Sequence, residues 1–69
     1  MTTPIANRVR EMREARGLTQ SELGDAIGVT RQTIAAIERR LYSPSLEAAF
    51  RLARRLDCPL ESLFAWSEE

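Results

Sequence analysis

The chain has 69 residues, ten basic and ten acidic, with a formal charge of zero, one Cys and no His. This composition excludes an intramolecular disulfide, a Cys/His zinc site and any Cys-His or Ser-His catalytic pair. The short apolar runs provide neither a membrane span nor a signal-peptide core, which points to the cytoplasm. At this length one domain over residues 1–69 is expected, near the lower limit for a self-supporting core, where dimerisation would help.

The charge is unevenly placed. All ten basic residues are Arg and lie between Arg8 and Arg55, alongside six acids, so that region is net +4. The last thirteen residues carry Asp57, Glu61, Glu68 and Glu69 and no base, giving −4. Such asymmetry fits one basic face for a polyanion as well as it fits ordinary solvated charge.

Thr3-Pro4 reads as a helix start, with Thr as cap and Pro at the first helical position. Ile5, Val9 and Met12 then fall on one stripe, and Gly17 ends the helix with Leu18 packing across its end. Thr19 and Glu22 form a Thr-x-x-Glu capping box for a second helix. Leu23, Ala26 and Ile27 are expected on its inner side, with Gly24 and Ala26 keeping it thin. Gly28 stops it, since Gly takes the left-handed conformation without a Cβ clash.

Thr30 caps a third helix starting at Arg31. Ile34, Ile37 and Leu41 are its expected inner stripe; Gln32, Ala35, Ala36 and Arg39 lie opposite, a face of little bulk that can sit deep in a groove. The connection Arg39 to Pro44 leads to Ser45, a cap for a fourth helix. There the expected stripe is Leu46, Ala49, Phe50 and Ala53, widened by Leu52 and Leu56. Asp57-Cys58-Pro59 breaks that helix, and Cys58 reads as a small buried hydrophobe. A last helix runs from Leu60 to about Phe64, and Phe64-Ala65-Trp66 can pair as a short extended edge. Five short helices fit an all-α unit.

The elements LTQSELGDAIGVTRQTIAAIE and YSPSLEAAFRLARRL resemble the XRE family, the Cro-like and phage-repressor-like helix-turn-helix regulators, over Asn7 to Phe64. The resemblance implies a compact five-helix, lambda-repressor-like DNA-binding domain with its helix-turn-helix at 19–38, working as a homodimer on a palindromic operator with the third helix in the major groove. It implies Arg31 and Gln32 as principal base readers, Thr33 as a base or phosphate contact, and Ala36 as a further reader. Gln20 and Thr19 fall at backbone or mixed contacts. Arg39 and Arg40 are candidates for phosphate contact, and Tyr42 is either a phosphate hydrogen-bonder or a ring covering the core. The family also pairs a first-helix Arg with the Glu ending the third helix, here Arg13 and Glu38, a structural role. Many members have Gly at position 40, where this chain has Arg40; without Gly the helix runs on or forces Arg40 into a left-handed conformation.

Independent geometry suits Arg to guanine, Gln to adenine, and Ala or the Thr methyl to a thymine methyl, at ~1–3 kcal/mol of discrimination per good bidentate contact. Leu60, Leu63, Phe64 and Trp66 are the expected dimer contacts, or else close the monomer's core. No cofactor or metal is implied. The alternative reading is an antitoxin that neutralises a partner protein and binds DNA for autoregulation. Such proteins often carry an extra tail, and Ser67, Glu68 and Glu69 follow Trp66. An enzyme is the weakest reading: there is no Gly-rich phosphate loop, and Glu11 and Glu14 lie on a solvated helix face.

Overall fold

The computed structural model describes residues 2–67; Met1 lies outside the described residues, as do Glu68 and Glu69, two acids of the C-terminal charge excess. The element order is β1 (Ile5–Asn7), α1 (Val9–Ala15), α2 (Gln20–Ile27), α3 (Arg31–Glu38), α4 (Leu46–Arg55), α5 (Leu60–Leu63) and β2 (Phe64–Trp66). Among the described residues five helices form the body, and a two-stranded sheet joins the two ends of the chain.

That sheet corrects the first expected helix. Ile5–Asn7 pairs antiparallel with Phe64–Trp66, in the register Ile5 to Trp66, Ala6 to Ala65 and Asn7 to Phe64. The extended edge expected at 64–66 is therefore present, and Thr3-Pro4 lies outside any helix. α1 begins at Val9, whose N–H donates to Asn7 Oδ1 at 3.1 Å. An Asn oxygen at a helix start satisfies a donor that the helix itself leaves open.

The caps of α2, α3 and α4 follow their sequence signals. Both arms of the capping box close, Glu22 N to Thr19 Oγ1 at 3.0 Å and Thr19 N to Glu22 Oε1 at 2.8 Å. Ser45 Oγ accepts from Ala48 N at 3.1 Å at the head of α4. α1, α3 and α4 all end in the same two-bond wrap. Leu18 N reaches Arg13 O, Leu41 N reaches Ala36 O and Cys58 N reaches Ala53 O, each with a second, shorter-range bond inside it. The turning residues are Gly17, Arg40 and Asp57, at φ +67°, +61° and +55°. Two of these ends thus force a residue with a Cβ into the left-handed region.

The core gathers Val9, Leu23, Ile27, Ile34, Ile37, Leu52, Ala53, Leu56 and Leu63, with Met12, Leu18, Val29, Cys58, Leu60 and Phe64 packed against it. Gly24 is needed for the tight α2–α3 turn, because a Cβ there would lie 2.7 Å from Val29 O. Four expected inner residues are exposed instead. Ala26 faces solvent. Leu41 is 52% exposed, because the left-handed Arg40 turns the chain away before the stripe of α3 reaches it. Leu46 and Phe50 are 70% and 50% exposed; the buried face of α4 is Ala49, Leu52, Ala53 and Leu56, and Phe50 sits ~100° round the helix from Ala49.

Leu63, expected as a dimer contact, is fully buried and closes the core of its own chain. No helix among the described residues is long and apolar enough to cross a membrane.

Candidate nucleic-acid interface

α3 is set against the body by one buried ion pair. Arg13 Nε donates to Glu38 Oε2 at 2.7 Å and Arg13 Nη2 to Glu38 Oε1 at 3.3 Å, while Arg13 Nη1 reaches Leu18 O at 2.7 Å. The Glu38 side chain is almost wholly buried. Its hydrogen bond raises the Arg13 guanidinium above its ordinary value, against the opposing effect of burial. Arg13 stays charged at every working pH, so the pair locks the last residue of α3 to α1.

Gln20, the first residue of α2, joins this pair: its Nε2 donates to Glu38 Oε1 at 3.1 Å. The Gln20 amide is therefore oriented with nitrogen towards the carboxylate, since a carboxylate only accepts. One of its N–H bonds is spent inside the protein, leaving the other for an outside acceptor.

The head of α3 is preorganised by threonines. Thr30 Oγ1 accepts from Thr33 N at 3.1 Å, and the two hydroxyls lie 3.0 Å apart. Arg31 and Gln32 follow directly, both exposed. One turn on come Ala35 and Ala36, half-buried and without bulk, and then Arg39, exposed at the helix end.

The cations divide clearly. Arg8 pairs with Glu11, Arg10 with Glu14, Arg16 with Asp57 and Arg51 with Glu47. Arg13 is held by Glu38, and Arg40 Nη2 donates to Thr3 O at 2.8 Å. Arg31, Arg39, Arg54 and Arg55 have side chains with no partner among the described residues. Two of these four flank the small face of α3.

Thr19 Oγ1 is used as the α2 cap, with its own hydroxyl proton left over. Tyr42 is half exposed beyond the end of α3. Arg40 is turned back onto the N-terminal segment, with Nε buried and unpaired. Trp66 is 67% exposed on β2.

Three further supports lie outside the motifs of the sequence. Asn7 Nδ2 donates to Ile37 O at 2.8 Å, Arg16 Nε to Leu56 O at 3.0 Å and Arg51 Nη1 to Ile27 O at 3.4 Å. In each case a side chain from elsewhere satisfies a carbonyl at the end of a helix, where cations are also favoured by the helix dipole. The local signal at Asn7 concerns its other contact, the cap at Val9 N, and not the bond to Ile37 O. The two Arg contacts carry no local signal.

A helix-turn-helix family profile matches residues 9–63. An HTH-type transcriptional regulator of Bacillus subtilis, YgzD, is 44% identical over 65 residues, which is 94% of this chain and 97% of that one. Another, from Methanothermobacter thermautotrophicus, is 50% identical over 62 residues, 88% of this chain and 90% of that one. The P22 c2 repressor, solved in complex with a synthetic operator, superposes with a TM-score of 0.76 at 30% identity, over 78% of this chain and 82% of that one.

Proposed function

The chain belongs to the XRE-type helix-turn-helix family of DNA-binding transcriptional regulators, and from that premise we propose that it is a sequence-specific repressor that binds a palindromic operator as a homodimer. The observation that carries this reading is the face of α3. Unpartnered Arg31 and Gln32 precede the low Ala35-Ala36 step, and Arg39 closes it, on a helix held by a buried ion pair. A helix so bare can approach base edges closely, while its polar side chains reach further.

In this reading α3 enters the major groove and α2 crosses the backbone. Arg31 takes guanine O6/N7, Gln32 takes adenine N6/N7, Thr33 contacts a base or phosphate, and Ala36 packs on a thymine methyl. Arg39, Tyr42, the Thr19 hydroxyl and the second Gln20 N–H contact phosphates and set register. Arg40 is left out of the phosphate set, because Thr3 O holds its guanidinium. The likeness to a phage repressor solved on operator DNA supports repression. The dimer forms through Trp66 and the exposed part of Phe64, and exposed Leu46 and Phe50 extend the apolar surface available to it. The protein works in the cytoplasm, where the DNA is.

Selection of bound sites from random duplex DNA tests the whole proposal. The expected result is an inverted repeat containing guanine and adenine, with half-sites one helical turn apart, ~34–36 Å. Recovery of no enriched sequence overturns it.

A further inference from the structure

We propose that Asn7 and Arg40 are positioning residues for DNA readout, through which the N-terminal strand braces the last turn of α3. The assignment rests on the DNA-reading role of α3 given above. Ile37 O accepts from Asn7 Nδ2 at 2.8 Å and from Arg40 N at 3.0 Å, so the penultimate carbonyl of the recognition helix is tied to β1. One residue past the C-cap, the chain is tied again, in both directions. Thr3 N donates to Arg40 O at 2.8 Å, and Arg40 Nη2 donates to Thr3 O at 2.8 Å.

The brace itself is anchored. β1 is paired to β2, and Arg8 N, just beyond β1, donates at 2.9 Å to the carbonyl of the fully buried Leu63. What it holds is a turn with little stability of its own, since Arg40 occupies the left-handed region at φ +61°. That turn carries Ala36 and Arg39, and a recognition surface must be held to within ~0.5 Å by its supporting residues. The side chains of Asn7 and Arg40 touch no DNA in this arrangement. They act through the path of the backbone between Ile37 and Leu41.

Two variants of the full chain separate this from a general structural role. Asn7→Asp keeps the oxygen that caps α1 through Val9 N but replaces the donor to Ile37 O with an acceptor. Arg40→Met removes the side-chain arm to Thr3 while keeping the stem, and it carries the test alone should Asn7→Asp fail to fold. In free protein, NMR hydrogen exchange of the Leu41 amide, bonded to Ala36 O, is expected to rise about tenfold in each variant, with amides of α4 unchanged. In competition binding, preference for the site selected by the wild type over random duplex is expected to fall about tenfold. Non-specific affinity and its salt dependence stay at wild-type values. Unchanged Leu41 exchange, or unchanged preference, overturns the proposal. A salt slope reduced by about one in Arg40→Met marks a lost phosphate contact and overturns the positioning role of Arg40. A wild-type chain that selects no site overturns the DNA-reading role itself, and this assignment with it, whatever the exchange result.

Discussion

Gln20 Nε2 and Glu38 Oε1 lie 3.1 Å apart, so the first residue of α2 and the last residue of α3 meet on the carboxylate that Arg13 also holds at 2.7 Å. One buried charge therefore fixes α1, α2 and α3 against each other at the side of the molecule where α3 is exposed.

Removing either partner of the pair should be costly, because the other charge stays buried with its main counter-charge gone, Arg13 keeping only Glu14 at 3.9 Å. Arg13→Met and Glu38→Met are each expected to lose about 3–5 kcal/mol in urea unfolding. The double variant should lose less than the sum of the two, since the stranded charge is gone. Strict additivity would show that the two residues do not act as a pair.

Gly24→Ala tests packing against propensity. Alanine favours a helix over glycine by about 1 kcal/mol, yet the new Cβ would sit 2.7 Å from Val29 O, a backbone atom with little room to yield. Overpacking of this kind costs about 1–3 kcal/mol, so a net loss is expected in thermal or urea unfolding. A stabilised Gly24→Ala protein would mean that the α2–α3 turn opens freely.

Arg31→Ala should leave the fold intact, because its side chain is exposed and unpartnered. The expected loss is about 1–3 kcal/mol of preference for the selected site over a base-substituted one, read in a competition shift assay. Equal discrimination by wild type and variant would remove Arg31 from the readers.

Salt reports the phosphate contacts. Affinity for the selected site should fall linearly on logarithmic axes as salt rises, with a slope set by the number of phosphates neutralised. Arg39→Ala should flatten that slope by about one while leaving site preference nearly unchanged. A slope equal to wild type would place Arg39 off the backbone.

The proposed dimer can be followed through Trp66, the only Trp of the sequence and largely exposed on β2. Its emission should shift to the blue as protein concentration rises, in step with the dimer fraction from sedimentation. Trp66→Ser should weaken the dimer and barely change unfolding, because the ring buries little in the single chain. Monomer throughout, at tens of micromolar, would remove the homodimer from the proposal.

The amino-acid order alone determined the helices and most of their ends. Capping by Thr19, Thr30 and Ser45 and the stops at Gly17 and Gly28 act within four residues, so they are legible without any partner. The inner residues Leu23, Ile27, Ile34 and Ile37 were legible for the same reason, though Ala26 and Leu41 of the same expected stripes are exposed, and of the two outcomes expected at Arg40 the structure takes the left-handed one. Tertiary structure decided the rest. Ile5–Asn7 became a strand because Phe64–Trp66, nearly the whole chain away, lies beside it. Leu63 went to the core while Leu46, Phe50 and Trp66 stayed outside; on α4, packing against α2 and α5 sets which part of the apolar stripe is covered. The partners of Gln20, Asn7 and Arg40 were decided in the same way. Each is a polar side chain whose partner, Glu38, Ile37 or Thr3, comes from a distant segment, and a hydrogen bond of about 3 Å is settled only when packing brings those segments together.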